Sequence, residues 1–128
     1  MSYIVVVDDN PLNAKLARIV LARAGHDIVA VGSAREAMAA IGRRMPDVVV
    51  TDISMPEVSG VQLCSDLRAL YPDSGLRIVA YTALAAGDEL AAITGAGFDA
   101  TVTKPATKES LLAAVQTGPI AAPAAVER

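Results

Sequence analysis

The sequence predicts an α/β fold: a three-layer, doubly wound (βα)5 domain with one parallel sheet in the order 2-1-3-4-5. Three observations predict it. Five short apolar runs, rich in Val and Ile, alternate with longer alanine-rich runs of helical spacing, and such alternation builds a parallel sheet covered by helices. The apolar runs are continuous rather than alternating with polar residues, as in strands buried on both faces. The first, third, fourth and fifth runs also end at a polar residue, which in a parallel sheet gathers those residues at one edge.

The first strand is 3–7 (YIVVV), ended by Asp8-Asp9. Asn10 and Pro11 read as the cap and first residue of a helix, because proline fixes φ and lacks a donor that would be unpaired there. Leu12, Leu16, Ile19, Val20 and Arg23 keep helical spacing as far as Gly25, a stop signal. Residues 27–31 (DIVAV) form the second strand. Ser33 and Glu36 match a capping box that opens a second helix towards Arg44, broken by Pro46 and Asp47. The third strand is 48–51 (VVVT), ended by Asp52. After a loop with Pro56 and Gly60, a third helix covers 61–70, with Val61, Leu63, Leu67 and Leu70 as candidate core contacts. A turn at 72–75 leads to a fourth strand, 77–81, closing on Thr82. A weak helix over 88–94 follows, then a fifth strand at 100–103 closing on Lys104-Pro105. The last helix covers 108–116, with Thr107 as its cap. The domain therefore spans 1–117, and 118–128, rich in Ala and Pro, reads as a frayed tail or linker.

Composition narrows the function. A chain of 128 residues is one domain and buries about two thirds of its unfolded surface. Its 53% apolar and 20% charged residues exclude disorder throughout. Eleven Lys and Arg against 14 Asp and Glu give a net charge of −3, which opposes generic binding to a phosphate backbone. Cys64 is the single cysteine and His26 the single histidine, so neither an intrachain disulfide nor a zinc site can form. No apolar run approaches the ~18 residues of a membrane span, and no charged segment followed by an apolar one marks a secretory signal. The expected compartment is the cytoplasm.

The polar residues at the strand ends carry the chemistry. In a parallel sheet, Asp8, Asp9, Asp52, Thr82 and Lys104 converge on one edge although they span most of the chain. Two carboxylates about 4 Å apart repel by about 4 kcal/mol at an effective dielectric near 20, and one lysine cannot balance three acids. A hard divalent cation can. An oxygen-only donor set selects Mg2+, or Mn2+, over zinc. A carboxylate beside such a cation, a lysine and a hydroxyl can act as nucleophile on a phosphoryl group. Lys104 and the cation would stabilise the transferring oxygens, and Thr82 would donate a hydrogen bond to one of them. No G-x-x-x-x-G-K-[ST] loop is present, which disfavours a nucleoside triphosphate as donor.

Plainer readings apply to single residues. Asp8 or Asp9 alone could cap the first helix. His26 reads as a solvated turn residue, Cys64 as a small core or boundary residue, and Arg43-Arg44 as a helix C-terminus. The convergence of five residues outweighs each of these readings taken alone.

The residues V-V-V-D-D-N at 5–10, T-D-I-S-M-P-E-V-S-G at 51–60, A-Y-T-A at 80–83 and T-K-P at 103–105 together resemble the CheY-like receiver domain of bacterial two-component response regulators, of flavodoxin-like fold. The resemblance covers about residues 3–117. It implies that Asp52 is the phosphoacceptor, charged by a sensor histidine kinase or a histidine phosphotransfer protein. It implies that Asp9 binds Mg2+ directly, Asp8 mainly through water, and that the backbone carbonyl of Ser54 completes the ligands with Asp52. Lys104, before a cis bond to Pro105, would contact the phosphoryl group, and Thr82 would move towards it. The face formed by the fourth helix, fifth strand and fifth helix would be the effector or homodimer surface, and the low helical propensity around Ala86-Gly87 and Gly95 marks the fourth helix as the expected moving part. Asp9-Asn10-Pro11-Leu12-Asn13 is similar to a D-N-x-x-N pattern of hybrid-kinase and phosphorelay receivers, so a free regulator and a receiver from a larger protein both fit. One departure stands out. Many receivers carry Tyr or Phe where this chain has Thr101, which puts an aromatic switch at that site in doubt. Leu84 offers no group to position an attacking water.

Two other functions are weighed beside a phosphorylated switch that is not a turnover enzyme. A Mg2+-dependent phosphohydrolase with an aspartyl-phosphate intermediate needs a second acid two residues after the nucleophile, and Ser54 stands there. A degenerate receiver that only binds proteins would not need the full set of acids, threonine and lysine. No nucleic-acid or membrane partner is expected.

Overall fold

The computed structural model describes residues 2–82, 93, 95–103 and 112–115. Most of the predicted fourth and fifth helices, together with Leu84, Lys104, Pro105, Thr107 and the 118–128 tail, lie outside the described residues. Among the described residues there are five strands: β1 (Tyr3–Val7), β2 (Asp27–Val31), β3 (Val48–Thr51), β4 (Arg77–Thr82) and β5 (Ala100–Thr103). They form one parallel sheet in the order β2-β1-β3-β4-β5, as predicted. Helices α1 (Pro11–Arg23), α2 (Ala34–Arg43) and α3 (Gly60–Leu70) connect the first four strands. The predicted caps form: Asn10 accepts from the N–H groups of Leu12 and Asn13, and Ser33 from that of Glu36. The Glu36 carboxylate accepts in return from the Gly32 N–H at 3.1 Å, one residue before the position a capping box specifies. Ser59 caps α3 and starts it at Gly60, one residue earlier than predicted.

β1 and β3 are buried along their whole length. Their side chains alternate between the sheet's two faces. Val5, Val7, Val49 and Ile78 pack with Ala37 and Ile41 of α2 and with Leu63 and Leu67 of α3. Ile4, Val6, Val50, Val79 and Tyr81 pack with Ala17 and Leu21 of α1 and with Ala114 and Val115. Burial on both faces accounts for the unbroken valine runs. β2 departs from this pattern: Asp27, Val29 and Ala30 are exposed, because β2 has a neighbour on one side only.

In α1 the leucines at 12 and 16 are 63% and 51% exposed, and Ala14, Ala17 and Leu21 form the buried face. Small residues let the helix approach the sheet closely, and the leucines lie off that contact. Two sequence-based expectations need correction. Leu70, a candidate core residue, is exposed at the end of α3. His26 is not a bare solvated residue: it is half-buried, and its Nδ1 accepts a hydrogen bond from the Ser2 N–H at 3.2 Å. Arg44, read only as a helix end, also pairs with Asp27 at 3.0 Å and lies over the Tyr3 ring, 3.9 Å from its centroid.

Arg68 of α3 organises the approach to β5. Its Nη1 donates to the Leu76 carbonyl, its Nε and Nη2 donate to the Gly97 carbonyl at 3.0 and 2.8 Å, and its Nη2 pairs with Asp99 at 2.6 Å. Asp99 also accepts from the Ile78 N–H at 2.8 Å and returns its own N–H to the Ile78 carbonyl at 2.8 Å. Gly97 has φ of 103°, a left-handed conformation that glycine adopts without a Cβ penalty.

Candidate functional site

Sheet register brings the acids together. Val7 of β1 lies opposite Thr51 of β3, so the next residues, Asp8 and Asp52, leave the sheet side by side. The Asp52 N–H donates to the Val7 carbonyl at 2.8 Å and the Asp8 N–H to the Val31 carbonyl at 3.1 Å, extending both ladders by one rung. Asp8, Asp9 and Asp52 each bring a carboxylate oxygen within 4.8 Å of the other two. Asp8 is 2% exposed and Asp52 8%, whereas Asp9 is exposed. Two of the three acids are thus held where water screens them poorly. At about 4.8 Å and an effective dielectric near 20, each pair repels by roughly 3.5 kcal/mol.

Backbone donors set the orientation of these carboxylates. Asp8 accepts from the Asn10 N–H at 2.9 Å, an Asx-turn into α1. The helix cap is Asn10 itself, so the acids at 8 and 9 are not the cap. Asp52 accepts from the Ile53 N–H at 2.8 Å, and the Thr51 hydroxyl donates to the Asp52 carbonyl at 2.9 Å. The Gly60 N–H donates to the Ile53 carbonyl at 2.9 Å. A Cβ on Gly60 would collide with the Asp52 carbonyl oxygen. The intervening loop turns at Glu57, a non-glycine residue with φ of 70°, where the Val58 N–H donates to the Pro56 carbonyl at 2.8 Å. Thr51, Ile53 and Gly60 have supporting roles that the strand-end pattern did not single out. Only the Gly60 position, directly after a Ser cap, carried a signal.

The other predicted site residues fall as follows. Thr82 ends β4, is 2% exposed and pairs in register with Thr103. Ser54 is exposed, two residues beyond Asp52. Lys104 follows β5 in sequence and lies outside the described residues. Beside Asp8 and Asp9, a cleft of about 350 Å³ opens between α1 and the end of β2, with Lys15 and Arg18 on its wall. The donors gathered here are all oxygens, which fits a hard cation of the Mg2+ or Mn2+ type.

Comparison with known proteins bears on the family and the fold. The family model described as "Response regulator receiver domain" matches residues 4–116. The probable transcriptional regulatory protein TcrX of Mycobacterium tuberculosis is 38% identical over 85% of this chain and 46% of its own length. The DNA-binding response regulator MtrA of Mycolicibacterium smegmatis is 35% identical over 88% of this chain and 48% of its own length. The chain therefore spans about half the length of these two relatives. An uncharacterised 14.6 kDa protein of Leptolyngbya boryana is 34% identical over 88% of this chain and 86% of its own length. Among solved structures, the signal receiver domain of a signal transduction histidine kinase from Syntrophus aciditrophicus superposes with a TM-score of 0.83 at 26% identity, covering 90% of this chain and 87% of that one. The Vibrio cholerae chemotaxis protein CheY4 superposes with a TM-score of 0.82 at 23% identity, covering 88% and 93%.

Proposed function

The chain belongs to the response regulator receiver domains of two-component signalling, and from that premise we propose that Asp52 is its phosphoacceptor. The observation that carries this is the meeting of Asp8, Asp9 and Asp52 within 4.8 Å, two of them buried, at the ends of adjacent parallel strands. An oxygen of the Asp52 carboxylate attacks the phosphorus of a phosphohistidine on a sensor kinase or phosphotransfer protein. A P–O bond forms and the P–N bond breaks. The electron pair leaves with the imidazole nitrogen, which takes a proton from solvent. The Ile53 N–H holds the Asp52 carboxylate in one rotation, and Asp8 is oriented by its bond from Asn10, so little reorganisation remains for the reaction.

Asp8, Asp9, Asp52 and the Ser54 carbonyl would hold Mg2+, which when bound offsets the clustered negative charge and polarises the phosphoryl oxygens. Thr82 would donate a hydrogen bond to one of those oxygens and Lys104 would pair with another. Position 54 is a serine rather than an acid, which supports transfer over turnover on small phosphoesters. The product acts as a switch or relay intermediate in the cytoplasm, read through the face that includes β5. Among the described residues, no helix is long and apolar enough to cross a membrane.

The test is reaction with acetyl phosphate and Mg2+, followed by intact-mass measurement. The parent should gain one phosphoryl group that hydroxylamine removes, and Asp52→Ala should gain none. Equal labelling of Asp52→Ala would overturn the assignment.

A further inference from the structure

Lys15 and Arg18 have no part in the chemistry assigned to Asp52, yet both face one space. They stand three positions apart on α1, so they share a side of that helix. Both line the cleft of about 350 Å³ between α1 and the end of β2. Both are exposed, and among the described residues neither pairs with an acid. The space is open because Ala14, Ala30 and Gly32 line it with little side chain. Asp8 and Asp9 also line it, next to the start of α1 at Pro11. From Pro11, Lys15 lies about 6 Å and Arg18 about 10 Å along the helix axis.

The lining therefore carries both signs, and that decides what fits. A free anion is repelled by Asp8 and Asp9, and a free cation by Lys15 and Arg18. An anion that brings a divalent cation with it suits both. The helix start does not compete for the anion: Pro11 has no N–H, and the N–H groups of Leu12 and Asn13 are taken by the Asn10 side chain. Recognition falls to the two basic side chains. Mg2+ combines one or two carboxylates with phosphate oxygens, but a single phosphate group at that end would leave Arg18 unserved. A second phosphate group linked to the first extends along the cleft. The Cα–Cβ bonds of Lys15 and Arg18 lean towards the helix N-terminus, which brings their side chains back to meet it. A guanidinium grips a phosphate with two parallel N–H bonds, and an ammonium adds a compact charge.

We propose that this cleft binds a diphosphate group as its Mg2+ complex, with Asp8 and Asp9 at the cation end and Lys15 and Arg18 on the outer phosphate, and that bound diphosphate withholds Asp52 from its phosphodonor. The proposal rests on Asp8 and Asp9 holding Mg2+ beside the acceptor. It makes the cleft an inhibitory subsite, in which diphosphate oxygens occupy the cation positions that the transferring phosphoryl group needs.

The test titrates the full chain with inorganic diphosphate by calorimetry, in a Mg2+ excess that keeps the free cation constant, and repeats the titration with ADP. One diphosphate site is expected. Equal or tighter binding of ADP assigns the site to nucleotides, and weaker binding assigns it to inorganic diphosphate. Arg18→Gln should weaken diphosphate by about tenfold or more, and Lys15→Gln by less. Neither should weaken Mg2+ alone, since each removes a nearby positive charge. In labelling with acetyl phosphate at the same free Mg2+, diphosphate should slow the mass gain of the parent and leave that of the Lys15→Gln, Arg18→Gln double variant unchanged. No binding by the parent, equal affinity in the variants, or equal affinity without Mg2+ overturns the proposal, as does unslowed labelling of the diphosphate-loaded parent. A parent that gains no phosphoryl mass even without diphosphate overturns the acceptor assignment instead, and the calorimetric titrations still decide the cleft.

Discussion

Gly60 lies so close to the carbonyl oxygen of Asp52 that no Cβ fits between them, although Gly60 is eight positions further along the chain. The start of α3 is therefore seated on the backbone of the candidate acceptor. Gly60→Ala must push either α3 or the 52–53 backbone aside, and overpacking of this kind costs about 1–3 kcal/mol. Urea denaturation should show that loss. Mg2+ affinity, measured by calorimetry, should fall as well because Asp52 is displaced from its partners.

Asp9 is the exposed member of the acidic group. Its repulsion from the other two is set between the limits of about 0.9 kcal/mol per pair in bulk water and about 3.5 kcal/mol at a dielectric near 20. Without divalent ions, Asp9→Asn should melt at the same temperature as the parent or higher, since a repelling charge is gone. With millimolar Mg2+ the parent should gain thermal stability by ligand linkage and Asp9→Asn should gain little. EDTA should restore the first ordering.

Arg68 joins α3 to the Leu76 and Gly97 carbonyls and to Asp99 through a planar fork. Arg68→Ala should destabilise by roughly 2–3 kcal/mol, because hydrogen bonds to a charged group are lost at partly buried acceptors. Arg68→Lys should recover less than half of this, since an ammonium cannot reach three acceptors in the same geometry. Chemical denaturation of the two variants measures the difference directly.

Cys64 is fully buried, and its thiol donates to the Ala96 carbonyl at 3.4 Å. Burial pushes the thiol from 9.0 up to about 11, against the opposing pull of Arg68. The thiolate is the nucleophile, so iodoacetamide at pH 8 should leave the folded protein unmodified and label it fully in urea. A folded value raised above the unfolded one means that, between about pH 9 and 11, the unfolded chain binds fewer protons and stability falls as pH rises. Cys64→Ala should flatten that part of the pH–stability curve.

Much of this fold was legible because its strands are buried on both faces. The runs at 3–7 and 48–51 could be read as strands without alternation, and Asn10, Pro11 and Ser33 marked helix starts by their capping chemistry. The acid cluster was legible for a related reason: in a parallel sheet, the residue after each strand is placed by topology alone. Side-chain packing was not legible. The spacing of Leu12 and Leu16 marked α1 as a helix but left its buried face open, and the sheet accepts Ala14 and Ala17, because helix-to-sheet distance is set by the whole assembly. Nor could the sequence show that His26 would serve Ser2, or that Arg44 would stack on Tyr3. Both contacts join elements far apart in the chain. At Thr101, where many receivers carry an aromatic, the side chain is exposed at β5, while Tyr81 turns towards the opposite face of the sheet.

Asp8 and Asp9 meet the third carboxylate only when β3 has slotted in beside β1, since Asp52 arrives on that later strand. During synthesis the first two acids leave the ribosome well ahead of the third, with α1, β2 and α2 in between. A half-made chain thus carries no complete acidic cluster, and a one-residue slip as β3 docks would turn its valines outward and separate the carboxylates. Under the proposed assignment of Asp52, the chain would not be charged before β3 has docked beside β1, so strand order alone would guard against premature phosphorylation.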